Sequence, residues 1–186
     1  MQIEPTALPD VLVLTPARFG DARGWFTETF NATRFAQAGL TTGWVQDNHS
    51  MSGAVGTLRG LHFQRPPHAQ DKLVRCTKGA IYDVAVDVRK GSPFYGKWVG
   101  VDLTPENGKQ LLVPRGFLHG FVTRVAETEV QYKCSDVYVP ECDGGIRWND
   151  PSIGIVWGVS EPVLSAKDQV ARLLEGWDSP FVWGGA

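Results

Sequence analysis

Two stretches of the chain concentrate side chains that move protons or stabilise charge. The first is Gly56-Thr57-Leu58-Arg59-Gly60-Leu61-His62-Phe63-Gln64, followed by Lys72 and then Gly79. The second is Gly108-Lys109-Gln110-Leu111-Leu112-Val113-Pro114-Arg115-Gly116-Phe117-Leu118-His119. An imidazole titrates close to neutral pH and can take a proton, which makes His62 a candidate base, while His119 is a second good donor at the end of the other stretch. An ammonium is rare in a protein interior unless it is paired or functional, so an inward Lys72 is a candidate for charge stabilisation. Taken singly, each is as well explained as an ordinary hydrogen-bonded residue of a sheet. Several polar groups on inward strand positions are harder to explain that way.

Whether they point inward depends on the elements that carry them. Short β-rich runs follow one another: Val11–Thr15, Trp25–Phe30, Trp44–Asn48, Thr57–Gln64, Lys72–Cys76, Ala80–Val88, Lys97–Leu103, Lys109–Pro114, Phe117–Thr123 and Thr128–Ser135. Gly, Pro, Asn or Asp punctuate most junctions, the pattern of an antiparallel sandwich or barrel. Val84, Val86 and Val88 alternate with Ala85 and Asp87, the period of a strand. Helical signal is confined to Asn31–Ala38, with Asn31 as N-cap, and to Ser165–Leu174. Alternation then sorts the faces. His62 goes with Gly60 and Leu58, Lys72 with Val74 and Cys76, and Tyr132 with Val130 and Cys134, opposite Gln131 and Lys133. Tyr132 joins the apolar side carrying a phenol, and on parity alone a core tyrosine is as good an explanation as a catalytic one. Arg59 falls on the opposite parity from His62 unless Gly60 permits a bulge that re-aims it.

Composition narrows the class. At 186 residues the chain fits one domain, residues 1–186, large enough for a core without disulfides. It is 42% hydrophobic, which excludes disorder, and its net charge of −2 offers no footprint for a nucleic acid polymer or an anionic membrane. Met1-Gln2-Ile3-Glu4-Pro5 lacks the basic and apolar regions of a signal peptide, and no apolar run is long enough to span a bilayer. The three cysteines Cys76, Cys134 and Cys142 form no CxxC pair, the expectation for reduced thiols in cytoplasm.

The two stretches resemble the paired motifs of the cupin superfamily, in which G-x5-H-x-H precedes a glutamate and P-x-G-x-x-H follows later. That resemblance implies an all-β fold, a double-stranded β-barrel of cupin or jelly-roll type with short peripheral helices. Metal-binding cupins hold a divalent ion with three histidines and the glutamate. Here His62 keeps the first position, Gln64 replaces the second histidine, and Lys72 stands at the glutamate position. A divalent cation beside an ammonium is repelled, and catalytic zinc sites generally supply three protein ligands. No metal and no cofactor are expected. The lysine leaves a fixed positive charge where the ion would have been, suited to an oxyanion.

Matches along nearly the whole chain are more specific. Asp21-Ala22-Arg23-Gly24-Trp25-Phe26-Thr27-Glu28, Gln46-Asp47-Asn48-His49-Ser50, Leu58–Gln64, Lys72-Leu73-Val74-Arg75, Asp83–Arg89, Pro114–Phe121, Gly145-Ile146-Arg147-Trp148-Asn149-Asp150-Pro151 and Leu164-Ser165-Ala166-Lys167-Asp168 resemble the dTDP-4-dehydrorhamnose 3,5-epimerases. The resemblance implies a homodimer that inverts C3 and C5 of a dTDP-4-keto-6-deoxyhexose, dTDP-4-dehydro-6-deoxy-D-glucose, through an enolate. It makes His62 the general base oriented by Asp168, Lys72 the stabiliser of the enolate oxygen, and Tyr132 the opposite-face acid. Arg59 and His119 would contact the diphosphate; Arg23, Phe26, Glu28, Gln46, Asp47, Asn48 and Lys167 would hold nucleotide or sugar, some across the dimer. Asp143 stands where the family usually has Glu, which puts that contact in question. Asp168 has a second explanation, because Ser165-Ala166-Lys167-Asp168 has the spacing of a loose capping box. Three rivals differ in class or outcome: a metal-dependent cupin, a non-catalytic sugar-binding barrel, and an epimerase inverting only C3 or only C5.

Overall fold

A computed structural model describes residues 1–184. Thirteen strands and two short helices are assigned in them, an all-β fold. Six strands form one antiparallel sheet in the order β1 (Gln2–Pro5), β2 (Leu12–Thr15), β10 (Gln110–Val113), β7 (Lys72–Lys78), β12 (Thr128–Cys134) and β5 (Gln46–Ser52). Five form a second: β13 (Asp143–Gly145), β6 (Leu58–Gln64), β11 (Phe117–Thr123), β8 (Ile81–Asp87) and β9 (Trp98–Leu103). A two-stranded ribbon, β3 (Arg18–Asp21) with β4 (Gly24–Thr27), stands apart from both.

The sheets are held face to face by apolar side chains from both. Val74, Leu111, Val113 and Val130 of the first pack with Ile81, Ala85, Phe117 and Phe121 of the second in one buried cluster. The outward side of the second sheet, including Val84, Val86 and Leu118, is covered by the C-terminal segment through Ile153, Trp157, Leu174 and Phe181. β8 is therefore buried on both faces, which explains its near-continuous apolar run. Helix α1 (Ala32–Gln37) lays Phe35 against Leu14, Leu73 and Leu112 on the outward side of the first sheet. Its N-cap is Asn31, whose side chain accepts from the Arg34 N–H at 3.1 Å.

All ten β-rich runs are strands, with ends shifted by a few residues. β1, β3 and β13 were not expected. Gln2–Pro5 and Arg18–Asp21 lack a buried apolar face, and Asp143–Gly145 is built of poor strand formers. β13 exists because it pairs with β6, Gly145 opposite His62, and because the Phe63 ring lies 2.5 Å from where a Cβ on Gly144 would be. The second helix is shorter than Ser165–Leu174: α2 covers Ala166–Gln169. Past it, Arg172 bridges to Ile146, and the Leu174 N–H donates to buried Asp150 at 2.7 Å, contacts a continued helix would forfeit.

Candidate active site

The two sheets leave two adjoining cavities between them, of about 400 and about 440 Å³, and His62, Lys72 and Tyr132 border both. Lys72 and Tyr132 come from β7 and β12 on the wall formed by the first sheet. Their apolar face-mates Val74 and Val130 are in the intersheet cluster, as alternation predicted. His62 comes from β6 on the facing wall, directly opposite His119 of β11.

The expected parity of β6 needs correction. Register with β11 runs His119 to His62 but Phe121 to Arg59, so β6 carries one extra residue at Gly60–Leu61. Gly60 has φ +142°, and a Cβ there would sit 2.6 Å from the Gly120 Cα, so only glycine fits this bulge. Leu58 consequently joins Leu61 in the outward cluster instead of sharing a face with His62. Arg59 turns onto the wall of the first cavity, where its guanidinium donates to Ser52 Oγ and the Met51 carbonyl.

His62 and Asp168 form a dyad, Nε2 to Oδ1 at 2.6 Å. Asp168 makes two contacts through different atoms: its N–H donates to Ser165 Oγ, capping α2, while its carboxylate turns to His62. Burial pushes the Asp168 carboxyl up, but the hydrogen bond and charge of His62, with lesser help from Ser165 and Gly60, hold it below its usual value. With Nε2 donating to a carboxylate, neutral His62 has its lone pair on Nδ1. Burial lowers the Lys72 ammonium below the ordinary lysine value, opposed by Cys134, Asp83 and Asp143 and reinforced by Lys167. Burial likewise raises Tyr132, with Cys134 adding to the shift and Arg59 opposing it, so the phenol keeps its proton at neutral pH. One wall thus offers a base and the other an ammonium and a protonated acid.

The remaining expected residues divide. Arg59 and His119 line the first cavity, and Gln46, Asn48, Asp143 and Lys167 line the second. The Gln46 amide donates to Asn48 and accepts from the Tyr138 N–H. Asp143 Oδ2 receives Lys167 Nζ and the Tyr138 hydroxyl, so the shorter carboxylate is already engaged at the cavity mouth. Arg23, Phe26, Glu28 and Asp47 are not brought to these cavities. Arg23 and Phe26 sit on the exposed ribbon, with Arg23 paired to Asp21. Glu28 pairs with Asn31 and Arg34, and Asp47, one residue out of phase with Gln46 and Asn48, faces outward to Lys133 at 2.9 Å.

Gln64 is organised for another purpose than ligation. Its amide nitrogen donates to the His68 and Val137 carbonyls and its oxygen accepts from the Val139 N–H, so it fixes the loop bearing Tyr138. Among the described residues no group of three or more His, Cys, Asp or Glu side chains is placed to hold a metal ion. The thiols are buried, and burial raises both Cys76, to about 11, and Cys134, as expected of inert cysteines. Sequence reasoning passed over Tyr138, an exposed aromatic at the mouth, and Asp83, whose carboxylate is buried against His119 at 2.7 Å. An aspartate at an inward position of β8, in phase with Ile81 and Ala85, was the available signal for the second.

No helix of the described residues is long and apolar enough to cross a membrane. The sequence profile of the dTDP-4-dehydrorhamnose 3,5-epimerases matches residues 5–176. The enzyme of that name from Salmonella typhimurium is 52% identical over 177 residues, covering 94% of this chain and 96% of that one. A Legionella pneumophila dTDP-6-deoxy-D-glucose-3,5-epimerase, solved in complex with dTDP-4-keto-L-rhamnose, superposes with TM-score 0.91 at 44% identity, covering 95% of this chain and 94% of that one. A dTDP-4-dehydrorhamnose 3-epimerase from Streptomyces niveus is more distant, 37% identical over 94% of this chain and 84% of its own. The chain belongs to the dTDP-4-dehydrorhamnose 3,5-epimerase family, and is by that membership an isomerase.

Proposed function

We propose that the cavity converts dTDP-4-dehydro-6-deoxy-D-glucose to dTDP-4-dehydro-L-rhamnose by successive inversion at C3 and C5. The observation that carries this reading is the division of the site between two walls, the His62–Asp168 dyad on one and Lys72 with Tyr132 on the other. A ketone at C4 acidifies the C–H bonds at both neighbouring carbons, because either carbanion delocalises onto the same oxygen. His62 Nδ1 takes the proton from one face of the sugar while Asp168 stabilises the imidazolium. Lys72 meets the negative charge on the C4 oxygen. Tyr132 returns a proton from the opposite face, which inverts the centre; before the next turn its phenolate regains a proton and the His62 imidazolium gives one up to solvent, so no net proton is gained or lost. The reaction balances without an oxidant, a metal or a cofactor.

In this reading Arg59 and His119 hold the diphosphate from the first cavity, while Gln46, Asn48, Asp143 and Lys167 hold sugar or nucleotide in the second. The outlying Arg23, Phe26, Glu28 and Asp47 complete the nucleotide site of a second subunit in a homodimer. The two sheets are the halves of a double-stranded β-barrel, residues 1–186 form a single domain, and the enzyme works in the cytoplasm. Double inversion is preferred over inversion at one centre because the 3,5-epimerase relative is 52% identical and the 3-epimerase 37%. The test is conversion of the substrate in the presence of a chelator, with the product trapped by a 4-keto-reductase. L-rhamnose stereochemistry is expected; recovery of the unchanged D-gluco sugar contradicts the reading.

A further inference from the structure

The site contains a second imidazole–carboxylate pair. His119 Nε2 lies 2.7 Å from Asp83 Oδ1, and both side chains are almost wholly withdrawn from solvent. Asp83 belongs to the inward face of β8, between Ile81 and Ala85, which both pack in the intersheet cluster. Its other oxygen, Oδ2, is buried without any hydrogen-bond partner among the described residues. A carboxylate is not retained in such a place for packing, because half of its hydrogen-bonding capacity is unmet there. Around the pair, from the surrounding elements, are Lys72 and Cys76 of β7, Arg59 and His62 of β6, Tyr132 of β12, and Asp168 of α2. Lys72 and Arg59 are the fixed cations of that set, and Asp83 contributes to keeping the Lys72 ammonium charged against burial.

We infer that Asp83 is a positioning residue for substrate binding: it fixes His119 through Nε2 so that Nδ1 is presented as a donor to an anionic phosphoryl oxygen. This rests on the proposed function for the identity of the ligand. Nδ1 of His119 has no hydrogen-bond partner among the described residues, and the ring lines the first cavity together with Arg59. A ring that already donates through Nε2 meets a phosphoryl oxygen at Nδ1 only by carrying both protons. The resulting imidazolium needs a buried counter-charge on its far side, which Asp83 supplies. The chain therefore uses the same construction twice with opposite results. In the His62–Asp168 pair the free nitrogen accepts a proton from carbon; in the His119–Asp83 pair it donates to an anion.

The experiment compares dTDP with thymidine, which lacks the phosphates, on the full-length protein. In wild type labelled with ¹⁵N-histidine, dTDP shifts the His119 Nδ1 resonance to the protonated range and leaves Nε2 protonated; thymidine does neither. The His119 signals are assigned by their loss in His119→Gln. In Asp83→Asn, dTDP affinity falls on the order of 10- to 100-fold, thymidine affinity is unchanged, and KM for the substrate rises more than kcat falls. Wild-type affinity for dTDP in a folded Asp83→Asn protein overturns the inference, as does an Nδ1 resonance indifferent to dTDP. The wild-type spectrum decides the matter even where Asp83→Asn does not fold. Wild type that binds dTDP with these signatures but epimerises nothing refutes the proposed reaction and leaves Asp83 its role. Wild type that binds no dTDP refutes both.

Discussion

Asp168→Asn separates the catalytic and structural contributions of one side chain. The cap of α2 uses the Asp168 N–H, which asparagine retains, whereas the link to His62 uses the carboxylate. At 2.6 Å, with Asp168 only 4% exposed, the contact is a short, shielded, charge-assisted hydrogen bond. Losing the charge removes about 1.5–3 kcal/mol of support for the imidazolium formed on proton abstraction, roughly 10- to 150-fold in rate. Asparagine also presents an NH₂ that stabilises the other tautomer, with the lone pair on Nε2 and turned away from the substrate. A tautomer error of this kind has cost about 10⁴-fold in a Ser-His-Asp triad. The expected fall in kcat is therefore about 10²- to 10⁴-fold, with KM within about 3-fold of wild type. The acid side of the stability profile changes as well. Because the folded Asp168 carboxyl is lowered, its contribution is fully present above its unfolded value of about 3.9 and is lost as pH falls through the lower folded value. The mutant should therefore be less stable than wild type above about pH 4, with the difference vanishing as pH falls through the lower folded value, while it keeps its helix cap. Steady-state kinetics and thermal melts across pH measure both effects. A near-normal kcat in the folded mutant would refute the dyad and reduce Asp168 to a helix-start residue, whose capping N–H asparagine retains.

Tyr132→Phe should leave abstraction intact and stop inversion, so that solvent hydrogen exchanges at C3 or C5 with retention while epimerised product falls at least 10²-fold; unchanged product formation would assign the acid elsewhere. Burial lowers Lys72, and the ammonium is the working form, so the alkaline limb of kcat should fall below the ordinary lysine value of about 10.4 and disappear in Lys72→Met. The same substitution removes a desolvated charge and should raise Tm by about 2–4 °C, the shift for about 1 kcal/mol in a chain of this size. A Tm that drops would mean the ammonium is structural. Gly60→Ala forces a Cβ against the Gly120 backbone at φ +142° and should destabilise by about 3 kcal/mol, displacing His62 and Arg59 together. A Tm within 2 °C of wild type, by melt, would contradict the bulge.

Much of this site was legible because strand alternation is strict where nothing interrupts it. Lys72 and Tyr132 could be placed on the inward face by counting, since Val74, Cys76, Val130 and Cys134 repeat without a break on either side of them. The same counting failed at Leu58 because a bulge shifts parity without leaving a mark other than a glycine, and Gly60 announces only that a bulge is permitted. Asp168 is far from His62 in sequence, and its local spacing fits a helix start equally well; only the resemblance to a family joined the two residues. Asp83 lies within a matching stretch, but nothing local in the sequence shows that this aspartate faces His119. Strand β13 was unreadable for a different reason: Asp143-Gly144-Gly145 has no strand propensity of its own and is held by β6 and the Phe63 ring.

The central claim is that one base and one oxyanion site act on both carbons beside a single carbonyl. It is tested most directly by incubating the protein with dTDP-4-dehydro-6-deoxy-D-glucose in heavy water and following the sugar protons by NMR. Wild type should wash deuterium into both C3 and C5, and the trapped product should have the L-rhamno configuration. His62→Asn, folded and still binding dTDP, should exchange neither position. Label at one carbon only would make the enzyme a mono-epimerase, and no label in wild type that binds dTDP would contradict proton abstraction at this site altogether.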